Sequence, residues 1–307
     1  MPTPDRKPHA GFSLLEVLVA SAVLALLLSL LSVAVGATLS TIRHSQSTVE
    51  RFASARAAFD RLTATLSQAT LNTYWDYDDS ENPQNYIRTS DLHFVIENSS
   101  DGHGQNLFFQ SPLSTSGTSP APSGLLNAVG YWVEFGEDKW RPPHVDTPRH
   151  RYRLMQGVSL SESFDVYEDA TSAWTEGFKT AKFPIAENVI ALILWPRQAT
   201  ASDPAGTALT GDYQYNSRTA SGIQRHQLPP MVQATLIVLD EPSMVRIQSG
   251  ATEQPEAIRS ALTGKFQDVT RYKEDLRDVL DALIAEKINY TVLNIPVTLR
   301  ESKWSSE

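Results

Sequence analysis

Gly11-Phe12-Ser13-Leu14-Leu15-Glu16-Val17 opens an apolar run that carries no charge after Glu16 until Arg43. From Val17 to Ile42 the run covers about 26 residues, roughly 39 Å as a helix at about 1.5 Å per residue. A bilayer core needs only about 20 such residues, so a helix over this stretch spans a membrane and still projects. Glu16 sits almost at its start. A carboxylate in hydrocarbon costs about 2.5–3.5 kcal/mol on insertion scales, and such a group calls for a partner.

Two ordinary explanations compete for this run. A cleaved secretory signal has an apolar core of about 7–15 residues and a small-x-small cleavage site, and this run is longer. A plain signal anchor fits the length, and the pair Arg6-Lys7 would hold the leader on the cytoplasmic side. Neither gives a reason for Glu16.

The order Gly11-Phe12-Ser13-Leu14-Leu15-Glu16-Val17-Leu18-Val19-Ala20 resembles the prepilin peptidase recognition site of type IV pilins and type II secretion pseudopilins. That family pattern is a short basic leader, a Gly, the cut, then usually Phe, Thr, Leu, a hydrophobic residue and Glu as fifth mature residue. Here Arg6 and Lys7 charge the leader, Gly11 precedes the cut, Phe12 becomes the new N-terminus and Glu16 stands fifth. Ser13 replaces the commoner Thr and keeps the hydroxyl.

The chemistry is consistent with that order. Cleavage needs close approach to the backbone, which a residue without a side chain permits. The cut creates an ammonium at Phe12, about one helical turn from Glu16. The two charges can meet within one helix, or Glu16 can face the Phe12 amine of a neighbouring subunit. Either pairing offsets the burial cost, and the second also sets axial register, which is the expectation adopted here.

The resemblance implies an α+β, pilin-like fold. A long N-terminal helix, membrane-spanning in its first half, packs on an antiparallel β-sheet head that carries a C-terminal helical insertion. The expected division is a leader at 1–11, a transmembrane and assembly half-helix at 12–42, an amphipathic half at 43–71 and a head at 72–307. The implied partners are other pilin-like subunits, the prepilin peptidase, an inner-membrane assembly platform and the membrane itself. The implied location is the bacterial inner membrane, single-pass with a periplasmic head, or a filament.

Composition frames the head. The chain has 307 residues, 41% of them hydrophobic and 20% charged, so a sizeable core is available. No cysteine is present, which excludes disulfides, thiol chemistry and cysteine metal sites. A net charge of −9 argues against a general phosphate-backbone binder, and there is no clear nucleic-acid signature.

Along the chain, Ser21, Ser29, Ser32, Gly36 and Thr38 dot the apolar helix with small residues that let helices approach in lipid. Val49, Phe52, Phe59, Leu62, Leu66 and Ala69 then fall on one helical face, which reads as core. The polar, aromatic stretch from Asn72 to Pro83 reads as a solvated acidic loop. Its Asp76, Asp78, Asp79 and Glu81 are the one candidate Ca²⁺ set, though without EF-hand order. No other cofactor is expected.

Strands are expected at Leu92–Ile96, Gln105–Gln110, Ala128–Phe135 and Arg149–Met155. The last puts Arg149, Arg151 and Arg153 on one face, either a solvent-facing strand edge or an anion-binding patch. Glu187–Arg197 reads as the most buried strand, followed by a polar excursion over 198–227 and a strand at Gln227–Asp240. This order resembles the larger, J-type minor pseudopilins and the Verru_Chthon cassette protein C group of prepilin-like proteins. Residues 253–288 read as the helical insertion, with Leu276, Val279, Leu280, Leu283 and Ile284 as its apolar stripe. A closing strand is expected at Tyr290–Leu299.

No nucleophile elbow, phosphate loop, zinc-protease helix or dinucleotide fingerprint occurs, and the seven histidines form no i,i+4 pair. The expectation is a structural minor pilin or pseudopilin, not an enzyme. Its alternative is a membrane-tethered ligand-binding or adhesion module.

Overall fold

The computed structural model describes residues 14–117, 122–139, 149–163, 173–179, 181–199, 201–219, 222–248, 250 and 252–304. The chain forms two compact units, Met1–Val49 and Glu50–Glu307. The first helix, α1, runs Leu14–Leu66 and enters both. In the first unit the window Val17–Val35 has mean hydropathy 2.7, and its described side chains are exposed. In the second unit Ala55, Ala58, Phe59, Leu62 and Leu66 are buried, as is Ala69 just beyond the helix, so the expected stripe is core from Phe59 on. Phe52 is half-buried against it, and the Val49 side chain lies outside the described residues. Arg56 and Asp60 pair on the opposite, exposed face at 3.1 Å. The helix hands over to the sheet where the Thr70 N–H donates to the Gln110 carbonyl at 2.9 Å.

The head is α+β, with antiparallel sheets and further helices. Strands β1 (Tyr74–Tyr77) and β2 (Tyr86–Thr89) make a hairpin of their own. The main sheet uses β3 (Val95–Asn98), β4 (Gln105–Pro112), β5 (Leu126–Glu137), β6 (His150–Ser159), β7 (Lys182–Glu187) and β9 (Tyr215–Asn216), in the order β7-β6-β5-β4-β3-β9. A second sheet has the order β11-β10-β8, from β8 (Val189–Arg197), β10 (Met231–Leu239) and β11 (Tyr290–Thr298).

Side-chain alternation gives the six-stranded sheet two different faces. Leu107, Phe109, Val129, Tyr131 and Leu154 share the main core with the helix stripe and with β8 and β10. Phe108 points the other way, into a separate cluster with Leu92, Val95, Ala128, Trp174 and Phe178. Gly130 and Gly157 face each other across β5 and β6 beneath this cluster. A Cβ on Gly157 would come within 2.8 Å of Phe178 Cβ, so the missing side chain is what lets the ring settle on the strand.

Two residues join the sheets. Asn188, at φ 59°, turns the chain from β7 into β8; its N–H donates to the Tyr152 carbonyl and its carbonyl accepts from Leu239 N–H. The sequence reading of one strand from Glu187 to Arg197 is corrected here, because that left-handed residue divides two strands of different sheets. Gly104, at φ 92°, bridges to Leu192, and a Cβ there would lie 2.0 Å from the Leu192 carbonyl oxygen.

Other departures have local causes. The stretch expected as an acidic loop is the β1–β2 hairpin, where Tyr74, Trp75 and Tyr77 favour strand and the acids crowd its tip. Helix α2 (Glu241–Gln248) was not anticipated; the Asp240 carboxylate accepts from Ser243 N–H at 2.9 Å and caps its first turn. The helical insertion contains α3 (Glu256–Leu262) and α4 (Tyr272–Ala285). Ile258, Leu262, Phe266, Val279 and Leu283 bury it against the main core, but Ile284, assigned to the stripe, is 58% exposed.

Adding a methyl at a filled site overpacks it. Gly157→Ala is expected to destabilise the protein by about 1–3 kcal/mol. Gly177→Ala, in the 3-10 turn Ala173–Lys179 that carries Phe178 and with open space at its Cβ, should stay within about 0.5 kcal/mol, both read by chemical unfolding. A second expectation concerns pH. His103 is buried edge-on to Tyr152, with ring centroids 5.1 Å apart, and burial pushes its imidazole below the ordinary value. The unfolded histidine titrates near about 6.5, so its contribution is complete above that pH and is lost as pH falls below it. The melting temperature should therefore drop on acidification from neutrality, and less steeply in His103→Gln.

Candidate functional site

The candidate residues fall in three regions. The processing residues Gly11 and Phe12 lie outside the described residues, and Glu16 lies in the first turn of α1. The helix that follows them is long and apolar enough to cross a membrane, over Val17–Val35.

The acidic residues sit on the β1–β2 hairpin and turn their oxygens to its own backbone. Asp78 Oδ1 accepts from the N–H groups of Gln84 (2.9 Å), Asp79 (3.0 Å) and Asn85 (3.1 Å), and Oδ2 accepts from Asn85 Nδ2 at 2.9 Å. The backbone N–H groups of Gln84 and then Asn85 are the main reason its carboxyl is held down to about 2. Asp79 Oδ1 accepts from Glu81 N–H at 2.8 Å, and Asp76 Oδ1 from Tyr77 N–H at 2.8 Å. Among the described residues no three His, Asp or Glu side chains converge as a metal cluster, so Asp76, Asp78, Asp79 and Glu81 are not assembled as one. What the hairpin does present is aromatic. Trp75, Tyr77 and Tyr86 are exposed on one face, the Tyr77 and Tyr86 rings lie tilted against each other with centroids 4.9 Å apart, and Arg88 lies 5.7 Å from the Trp75 ring.

The arginine row corrects the sequence reading more sharply. β6 is an inner strand, and only Arg149, just before it, is exposed. Arg151 is buried and makes a bidentate pair with Glu241 at 2.8 and 2.9 Å, plus a bond to Glu187 at 3.1 Å. Burial alone lowers its guanidinium, and the Glu241 and Glu187 carboxylates outweigh that and leave it raised. Arg153 is buried against Asp138 and the carbonyls of Gly136 and Glu137. Its guanidinium is lowered, chiefly by burial. Alternation along the strand was read correctly, but the partners lie far off in sequence, so no free cationic face exists at Arg151 and Arg153.

The sequence reading missed a cavity of about 520 Å³ on the outer face of the six-stranded sheet. Phe108, Trp132 and Phe178 contribute its aromatic wall, and Glu97, Asp101, Glu134 and Lys182 its charges. Lys182 is paired with Glu134. Glu97 Oε1 accepts from Asn106 Nδ2 at 3.4 Å. The alternation Ala128, Gly130, Trp132, Glu134 along β5 was the available signal, since it marks an aromatic and an acid on the face away from the core.

Removing one member of a buried ion pair leaves the other uncompensated. Arg151→Ala should cost about 3 kcal/mol or more in urea unfolding. Arg149→Ala, at an exposed position, should change it by less than about 0.5 kcal/mol.

Comparison with known proteins singles out the other end of the chain. Residues 6–40 match the family model of the prokaryotic N-terminal methylation motif. No curated protein and no solved structure matches the chain. The matched span takes in the basic pair Arg6-Lys7, Gly11, Phe12, Glu16 and most of the apolar helix, the same residues that carried the resemblance. With its apolar N-terminal helix and α+β head, the chain is a type IV pilin- or pseudopilin-like protein bearing the N-terminal methylation motif.

Proposed function

We propose that the chain is a structural, non-catalytic minor subunit of a type IV pilus or of a type II secretion-like pseudopilus, nearest in kind to the J-type minor pseudopilins. Prepilin peptidase cuts after Gly11, and the Phe12 amine becomes the mature, methylated N-terminus. Glu16 then faces the Phe12 amine of a neighbouring subunit and sets axial register. The helix is held in the inner membrane with the head in the periplasm until an assembly platform adds the subunit to a filament. The observation that carries this is the methylation motif over residues 6–40, on a helix long and apolar enough to cross a membrane over Val17–Val35. The bulk of the head, one unit over Glu50–Glu307, favours a low-copy position over a repeating array.

The alternative, a membrane-tethered ligand-binding or adhesion module, draws its support from the outer-face cavity and the aromatic hairpin. It predicts a function that survives without processing.

Two substitutions separate the steps. Gly11→Val should block cleavage and leave the leader attached. Glu16→Ala should still be cleaved, yet its share in sheared or cross-linked assemblies should fall at least about tenfold, given the cost of an unpaired ammonium in lipid. Undiminished incorporation of Glu16→Ala would contradict the register role.

A further inference from the structure

The outer-face cavity has a composition that selects for charge. Its volume of about 520 Å³ lies within the roughly 300–1,000 Å³ usual for small-ligand sites. Three acids, Glu97, Asp101 and Glu134, meet one base, Lys182, and that base is already paired with Glu134. An anionic ligand would therefore find no uncommitted cation among these residues, whereas Glu97 and Asp101 leave an excess of negative charge. Beside them lies the half-exposed indole of Trp132, 6.3 Å from the Phe108 ring, which in turn stacks on Phe178 at 5.6 Å. The face of an indole is the best aromatic surface for a cation, and nearby carboxylates strengthen its pull.

The wall is also built to stay in place. Phe178 is held on Gly157, and Phe108 on Gly130, where a Cβ would come within 2.9 Å of the ring. Glu97 is steadied by Asn106 across the β3–β4 pair.

We infer that this cavity is a binding site for an alkylammonium group, with the cation between Trp132 and the carboxylates of Glu97 and Asp101 and the alkyl chain against the Trp132 indole and the edge of Phe108 that Phe178 backs. The inference is independent of N-terminal processing and of assembly. A free aliphatic amine and a lysine side chain of another protein share this chemistry.

The test is calorimetric titration of the full-length chain, in non-ionic detergent at low ionic strength, with pentyltrimethylammonium. The expected result is saturable one-to-one binding, weakened about tenfold by Trp132→Leu and by Glu97→Gln, with no binding of hexanoate. Asp101→Asn, on an exposed turn where folding is not at stake, should weaken binding several-fold. Displacement by cadaverine assigns the site to free amines, and displacement by Nα-acetyl-lysine methylamide assigns it to a protein side chain. Absence of saturable binding, equal binding of hexanoate, or affinity unchanged in Glu97→Gln and Asp101→Asn overturns the inference.

Discussion

A single constraint orders this protein: among the described residues, the apolar turns of α1 from Val17 to Val35 are exposed. Each Leu or Val side chain left in water forgoes about 1.5–3 kcal/mol of burial, so a helix this rich in them cannot remain hydrated. Lipid covers it, or other helices do, and a helix that serves in both settings is suited to a subunit that moves from membrane to assembly. The one charge in its first turns, Glu16, is tolerable in either setting only with a partner.

The head solves a separate problem, holding a large mixed fold without disulfides. It does so with one core shared by the later turns of α1, the inner face of the six-stranded sheet and the second sheet. The sheets meet where backbone geometry is most restrictive, at Gly104 against Leu192 and at the left-handed Asn188. Arg151 lies next to that corner. It binds Glu241 at the start of α2, and Asn188 Nδ2 donates to the same carboxylate at 2.9 Å. Arg151 is therefore an internal clamp between the sheet and α2. The outer-face cavity lies further along that same face of the sheet, where Glu134 stands opposite Arg153 across β5 and β6.

What was legible in the sequence followed periodicity. The stripe of Phe59, Leu62 and Leu66 and the insertion with Val279 and Leu283 read from spacing, because each repeats a single face over several turns. The strand through Ile193 and Leu194 read from an unbroken apolar run, which is buried on both faces. What was not legible depended on distant partners. Nothing near Arg151 announces Glu241, 90 residues on, and nothing near Trp132 announces Phe178. The break at Asn188 falls at two polar positions, Glu187 and Asn188, that read equally well as the edge of the apolar run, and a one-residue left-handed turn there moves the chain to another sheet. The aromatic hairpin was hidden by its acids, which close the turn by accepting backbone N–H bonds, as Asp78 does.

The central claim is that residues 6–40 act as a processing and assembly signal rather than as a plain anchor. The most direct test is the intact and N-terminal peptide mass of the protein recovered from its native envelope. The account predicts a chain that begins at Phe12 and carries a methyl group on its amine. A chain that still begins at Met1 would contradict it, and would leave Glu16 as a charge without a role.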